Sequence, residues 1–150
     1  MLNHGPRIRL LLLALVMVAG CDSSSDGPQT YAVTGEVTLD GQPVAGADVA
    51  FLPSISTPDA APAQAVTDEA GRFEVVSLFD QGRTSQAGMT SGTYGVQITQ
   101  LKRPPPSAGM SQPPKNMLPQ KYASPATSGL SATVVPDGEN HFVFKLSSSN

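Results

Sequence analysis

Apolar and polar residues alternate with period two from Tyr31 onward. Tyr31, Val33, Gly35, Val37 and Leu39 fall on one side and Ala32, Thr34, Glu36 and Thr38 on the other, the pattern of a half-buried strand. Asp40-Gly41 then supplies a turn that tolerates positive φ, and Val44, Ala47, Val49 and Phe51 predict a second strand with a bulge near Gly46. Residues 31–51 are thus expected to form a hairpin. A polar, proline-bearing loop over 53–62 leads to two short strands, 63–67 and 72–77, about the turn Asp68-Glu69-Ala70-Gly71, with Phe73 and Val75 pointing inward.

The segment 78–91, rich in Gly, Gln, Ser and Thr, is expected to be a loop. Tyr94, Val96 and Ile98 mark a fifth strand. Six prolines between Arg103 and Pro119 exclude a helix or a central strand and predict a long extended excursion. Leu130, Ala132 and Val134, a turn over 136–140, and Phe142, Phe144 and Leu146 read as strands six and seven, paired as a hairpin. The fold class is therefore all-β, a single sandwich of about seven strands.

The N-terminal residues follow another rule. Arg7 and Arg9 precede an apolar run from Leu10 to Ala19, which ends at Val18-Ala19-Gly20-Cys21. Charged, apolar and small residues in that order predict an export signal peptide over 1–20. The run is too short to span a bilayer, which takes ~20 apolar residues. Val18-Ala19-Gly20-Cys21 resembles the lipobox of bacterial lipoproteins, so cleavage between Gly20 and Cys21 and acylation (palmitate and related chains) of Cys21 are expected. Cys21 is the only cysteine, and a lone free thiol in an exported protein would be unusual. Residues 21–29 lack apolar side chains beyond that cysteine and read as a flexible tether, with the domain spanning 30–147.

Once Arg7 and Arg9 are removed with the leader, seven cationic side chains face twelve carboxylates, a net charge of −5. Nucleic acid is a poor partner for such a chain. With Cys21 committed to lipid, no intrachain disulfide is available.

The run Val33-Thr-Gly-Glu-Val-Thr-Leu-Asp-Gly-Gln-Pro-Val-Ala-Gly-Ala-Asp-Val-Ala-Phe51, followed by Thr67-Asp-Glu-Ala-Gly-Arg-Phe73, resembles the carboxypeptidase regulatory-like domain. The C-terminal half, with Leu118-Pro-Gln-Lys-Tyr-Ala-Ser-Pro and Ser128-Gly-Leu-Ser-Ala-Thr-Val134, resembles small lipoproteins of planctomycete bacteria. The resemblance implies a transthyretin-like or Ig-like sandwich without zinc ligands and with a structural or adhesive role.

Candidate chemistry is sparse. His141 is the only histidine after the leader, and its position opposite Phe142 and Phe144 predicts a solvent-facing strand residue, neither metal ligand nor catalytic base. Glu36 and Glu74 fall on outward strand positions, as expected of solvated carboxylates. Asp68, Asp137 and Glu139 lack the repeated acidic spacing of a calcium loop.

These readings predict no catalytic residues, no metal and no cofactor. The expected function is that of a lipid-anchored, non-enzymatic module of the cell envelope, facing the periplasm or the exterior, with a structural role or an envelope protein or polysaccharide as partner. Arg103, Lys121 and Tyr122 form the candidate partner-binding loop. The alternative is a carbohydrate-binding module, for which Tyr122 is the one ring expected to be exposed.

Overall fold

Among the described residues twelve strands build the fold, most of them short. In the computed structural model, which describes residues 27–55, 57, 60–102 and 113–149, they are β1 (Val33–Leu39), β2 (Gln42–Pro43), β3 (Asp48–Pro53), β4 (Ala63–Val66), β5 (Arg72–Glu74), β6 (Val76–Phe79), β7 (Thr84–Ala87), β8 (Gly92–Thr99), β9 (Leu101–Lys102), β10 (Lys115–Asn116), β11 (Leu130–Val134) and β12 (Asn140–Leu146). One helical turn, α1 (Pro125–Ser128), precedes β11. Gly20, Cys21 and Arg103 lie outside the described residues.

The strands form an all-β sandwich. In the smaller sheet β1 is central, with β12 parallel to it along one edge and β5 and β2 antiparallel along the other. The larger sheet runs β11-β8-β3-β4-β6-β7, and β9 and β10 form a separate two-stranded ladder. The two main sheets meet on aromatic rings. Phe51 of β3, fully buried, lies 6.1 Å from Phe73 of β5 and 6.3 Å from Phe144 of β12, and Phe73 stacks on Phe144 at 6.0 Å. Gly35 makes room for this cluster: the ring of Phe73, its cross-strand partner, occupies the space a Cβ would need.

All seven expected strands exist, but the expected hairpins are replaced by crossings between sheets. Asp40 (φ 51°) and Gly41 (φ 82°) do turn β1 back on itself, as a two-residue turn requires, yet the return strand β2 has only two residues. Beyond Pro43 the chain leaves the sheet through 44–47, and β3 pairs with β4 and β8 instead of β1. Gly46 (φ 66°) marks this corner, not a bulge.

The turn at 68–71 likewise joins strands of different sheets, since β4 pairs with β3 and β6 while β5 pairs with β1. The expected strand 72–77 divides at Val75, whose N–H donates to Val33 O (3.1 Å) in one sheet and whose carbonyl accepts from Gly88 N–H (2.8 Å) beside the other. β11 and β12 do not pair as a hairpin either: β11 adds to β8, and β12 crosses to lie parallel to β1. The physical reason is common to these cases. Each strand has a strongly apolar inner face, and crossing lets successive strands bury those faces against each other from opposite sides of one core.

Segment 78–91 is not simply a loop. β6 runs into it and pairs with β7 as a hairpin, Ser77 facing Gln86 and Phe79 facing Thr84, on the outer edge of the larger sheet. Its polarity reflects that edge position, where charge and hydroxyl groups are tolerated on both faces.

The corners are held by buried polar side chains bonded to backbone. Thr67 Oγ1 donates to Val44 O (2.6 Å) and accepts from Ala47 N–H (2.8 Å). Ser77 Oγ donates to Gly88 O (2.9 Å), and Thr90 Oγ1 accepts from Ala61 N–H (3.0 Å) while sharing a 2.7 Å bond with the Tyr94 hydroxyl. Asn140 closes the turn before β12 with paired 3.0 Å bonds to the N–H and C=O of Val135. Ser128 Oγ joins α1 to Val96 O (2.6 Å). Buried backbone groups in irregular segments need such partners, which ladders cannot supply.

Candidate functional site

The outward face of the smaller sheet carries the residues with the most chemistry. Register places His141, Thr34 and Glu74 in one row across β12, β1 and β5, and Val143, Glu36 and Arg72 in the next. Of these, His141, Thr34, Glu74 and Arg72, with Val66 and Asp68, border an open concavity of about 510 Å³ that Gly35 and Phe73 also line. His141 is exposed, as its alternation predicts, and its Nδ1 lies 2.9 Å from Thr34 Oγ1. A hydroxyl beside an imidazole is the beginning of a nucleophile and base pair, but such a pair also needs a group orienting the imidazole and donors for an oxyanion. Among the described residues the bond to Thr34 is the only hydrogen bond of this imidazole.

Glu36 and Glu74 both point outward and are offset diagonally, Glu36 facing Arg72 and Glu74 facing Thr34. Asp68 is occupied by its own turn, Oδ1 accepting from Ala70 N–H and Arg72 N–H at 2.8 Å each. Asp137 and Glu139 are exposed in the turn before β12. Among the described residues no three His, Cys, Asp or Glu side chains gather as a metal site would require.

The candidate partner-binding loop needs correction at Tyr122. Its ring is buried, 6% exposed, and packs in the core with Leu118; its hydroxyl accepts from Ser147 N–H at 2.9 Å. The ring is therefore an anchor for the returning chain and cannot serve as a stacking platform. Sequence reasoning placed it on the surface because it follows a proline-rich stretch, whereas Gln120–Ala123 forms a 3-10 turn that rotates Tyr122 inward. Lys121 lies against that ring, its Nζ 5.2 Å from the centroid and 2.9 Å from Ser149 O, so it too is engaged within the chain.

The described part of the excursion is more ordered than a passive loop. Lys115 faces Lys102 and Asn116 faces Leu101 across β10 and β9, and Asn116 Oδ1 accepts from Gln100 N–H (3.0 Å) and Leu118 N–H (3.2 Å). Lys102 and Lys115, both exposed, are thus the cations the fold presents at this neck; the sequence reading passed over them, and only strand pairing brings them together. Like charges facing each other across a ladder repel, and an anion between them relieves that repulsion.

Among the described residues one carboxyl and one phenol are shifted. Hydrogen bonds from the Ser148 side chain and backbone, with a further contribution from Ser147, hold Asp40 below the usual carboxylate range. Burial pushes the Tyr94 phenol upward. Both groups stabilise turns and core, and neither lines the concavity.

Comparison of the chain with protein-family models, with curated proteins and with solved structures found no match.

Proposed function

We propose that this protein is a non-enzymatic β-sandwich lipoprotein of the carboxypeptidase regulatory-like type, held at a membrane of the cell envelope through acylated Cys21 and presenting its domain to an envelope partner. The observation that carries the reading is the leader pattern ending in the lone cysteine, six positions before the first described residue, Gly27. Two acyl chains on such a residue suffice for stable anchoring. The buried polar side chains support a structural reading of the domain itself, since Thr67, Ser77, Thr90, Ser128 and Asn140 are each bonded to backbone at corners or chain crossings.

For the partner, the facing pair Lys102 and Lys115 favours an anionic protein or polysaccharide. The carbohydrate-binding alternative loses the exposed ring it relied on, because Tyr122 is buried.

Intact mass of the membrane-derived protein, wild type beside Cys21→Ser, tests the anchor. The expected result is a chain beginning at Cys21 with added acyl mass and detergent-phase partitioning, both lost in the variant. An unmodified wild-type chain that stays in the aqueous phase would refute it.

A further inference from the structure

Strand directions define the two ends of the sandwich. β1 and β12 run parallel, so Val33 and Asn140 share one end and Leu39 and Leu146 the other. Val75 bonds Val33 and Gly88, which puts the start of β6 at the Val33 end. Val44 N–H bonds Val37 O, and Thr67 bonds both Gly46 and Ala47, which puts the end of β4 and the start of β3 toward the Leu39 end; β3 therefore runs toward the Val33 end and finishes there at Pro53. β8 begins there, with Tyr94 opposite Pro53 and Ser54 N–H donating to Thr93 O at 2.8 Å. β11 ends there too, Val134 facing Gly92.

The N-terminal segment arrives at this end. Tyr31 pairs with Met89 through 2.8 and 2.9 Å bonds, and Thr30 Oγ1 donates to Ala87 O at 2.8 Å. Cys21 precedes Gly27 by six residues, a reach of at most ~20 Å when fully extended. The fold exposes apolar side chains at both ends, Val66, Leu101 and Met117 at the far one and Ile55, Leu52 and Val135 at this one, where the tether arrives. Ile55 is 101% exposed at the start of the loop after β3, and Leu52 and Val135 are 41% and 45% exposed.

We propose that this end of the sandwich rests on the lipid surface, with Ile55 entering the headgroup region beside Leu52 and Val135. The inference rests on the reading of Cys21 as acylated. The short tether keeps the domain within reach of the bilayer, and an exposed isoleucine gains by leaving water there. Asp137 and Glu139, in the adjoining turn, oppose an anionic surface, so the fit is to zwitterionic lipid. The β9–β10 neck, with Lys102 and Lys115, follows the far end of β8 and faces away from the membrane.

The chain has no tryptophan, so an introduced one reports without background. Full-length acylated protein carrying Ile55→Trp, Val135→Trp or Glu69→Trp is placed in phosphatidylcholine vesicles, with and without brominated acyl chains. Glu69 is exposed in the turn at the opposite end, beyond the rise of the seven-residue β1, ~20 Å along the strand.

Emission from Ile55→Trp should shift to the blue and fall about twofold with brominated lipid, as for a side chain ~5–10 Å into the headgroup and acyl boundary. Val135→Trp should follow it in weaker form, and Glu69→Trp should change in neither respect. Protein that floats with vesicles while neither Ile55→Trp nor Val135→Trp is quenched would overturn the orientation and leave the anchor standing, as would stronger quenching of Glu69→Trp. Protein that does not float would remove the anchor and the orientation together. Far-ultraviolet circular dichroism verifies that each variant keeps its β structure.

Discussion

Replacing Thr67 by valine should destabilise the fold by about 2–4 kcal/mol, because valine keeps the shape and removes the hydroxyl. Thr67 is 4% exposed, and its Oγ1 accepts from Ala47 N–H at 2.8 Å and donates to Val44 O at 2.6 Å. Its backbone adds two 3.0 Å bonds, with Ala47 O and Gly46 N–H, which valine retains. The substitution thus strands one buried donor and one buried acceptor, each costing ~1–3 kcal/mol, while the added methyl returns ~0.8 kcal/mol.

Urea unfolding measures the difference, with the m-value confirming that the folded and unfolded states keep their extent of exposure. Thr67→Ser is the matched control. It keeps both bonds and loses one methyl, so its expected cost is about 1 kcal/mol, less than that of valine despite the smaller side chain. If valine proved as stable as wild type, or serine worse than valine, the corner between β2 and β3 would be held by packing and the hydrogen-bond argument would fail.

Gly35→Ala places a Cβ against the Phe73 ring and the Phe142 carbonyl, and overpacking of this kind should cost about 1–3 kcal/mol, read as a lowered thermal midpoint. Because Asp40 is held below its ordinary value of 3.8, its contribution to stability is present above that pH and is lost as pH falls through the lowered folded value. Asp40→Asn, which tolerates the same positive φ, should therefore lower stability near neutrality, leave it little changed in acid, and so flatten the limb below about pH 4 in a stability profile. Tyr122→Phe removes the acceptor for Ser147 N–H and should loosen the C-terminal residues. Faster amide exchange at Ser147 with little change in the strands would show it, and unchanged exchange would contradict the anchoring role.

Local sequence determined the elements well wherever one face is apolar and the other wet. Val33, Val37, Tyr94, Val96, Ile98, Ala132, Val134, Phe144 and Leu146 are buried as their alternation predicts, and His141 faces solvent for the same reason. The Asp40-Gly41 turn was legible because its positive φ values are a local demand. α1 also carried a local signature in Ser124, Pro125 and Gly129, the cap, first-turn and terminating residues, although four residues are too few to show helical periodicity.

Tertiary structure alone decided which strands pair. Period two states which side chains face inward but not which sheet a strand joins, so the hairpin pairings expected of residues 31–51, about the turn 68–71 and about residues 136–140 became crossings. The edge hairpin β6–β7 left little apolar signal because an edge strand buries so little. The inward rotation of Tyr122, the facing of Lys102 and Lys115, and the gathering of Ile55, Leu52 and Val135 at the tether end arise from contacts between distant segments. Those contacts depend on how two sheets close over one core, a property of the whole chain that no local window contains.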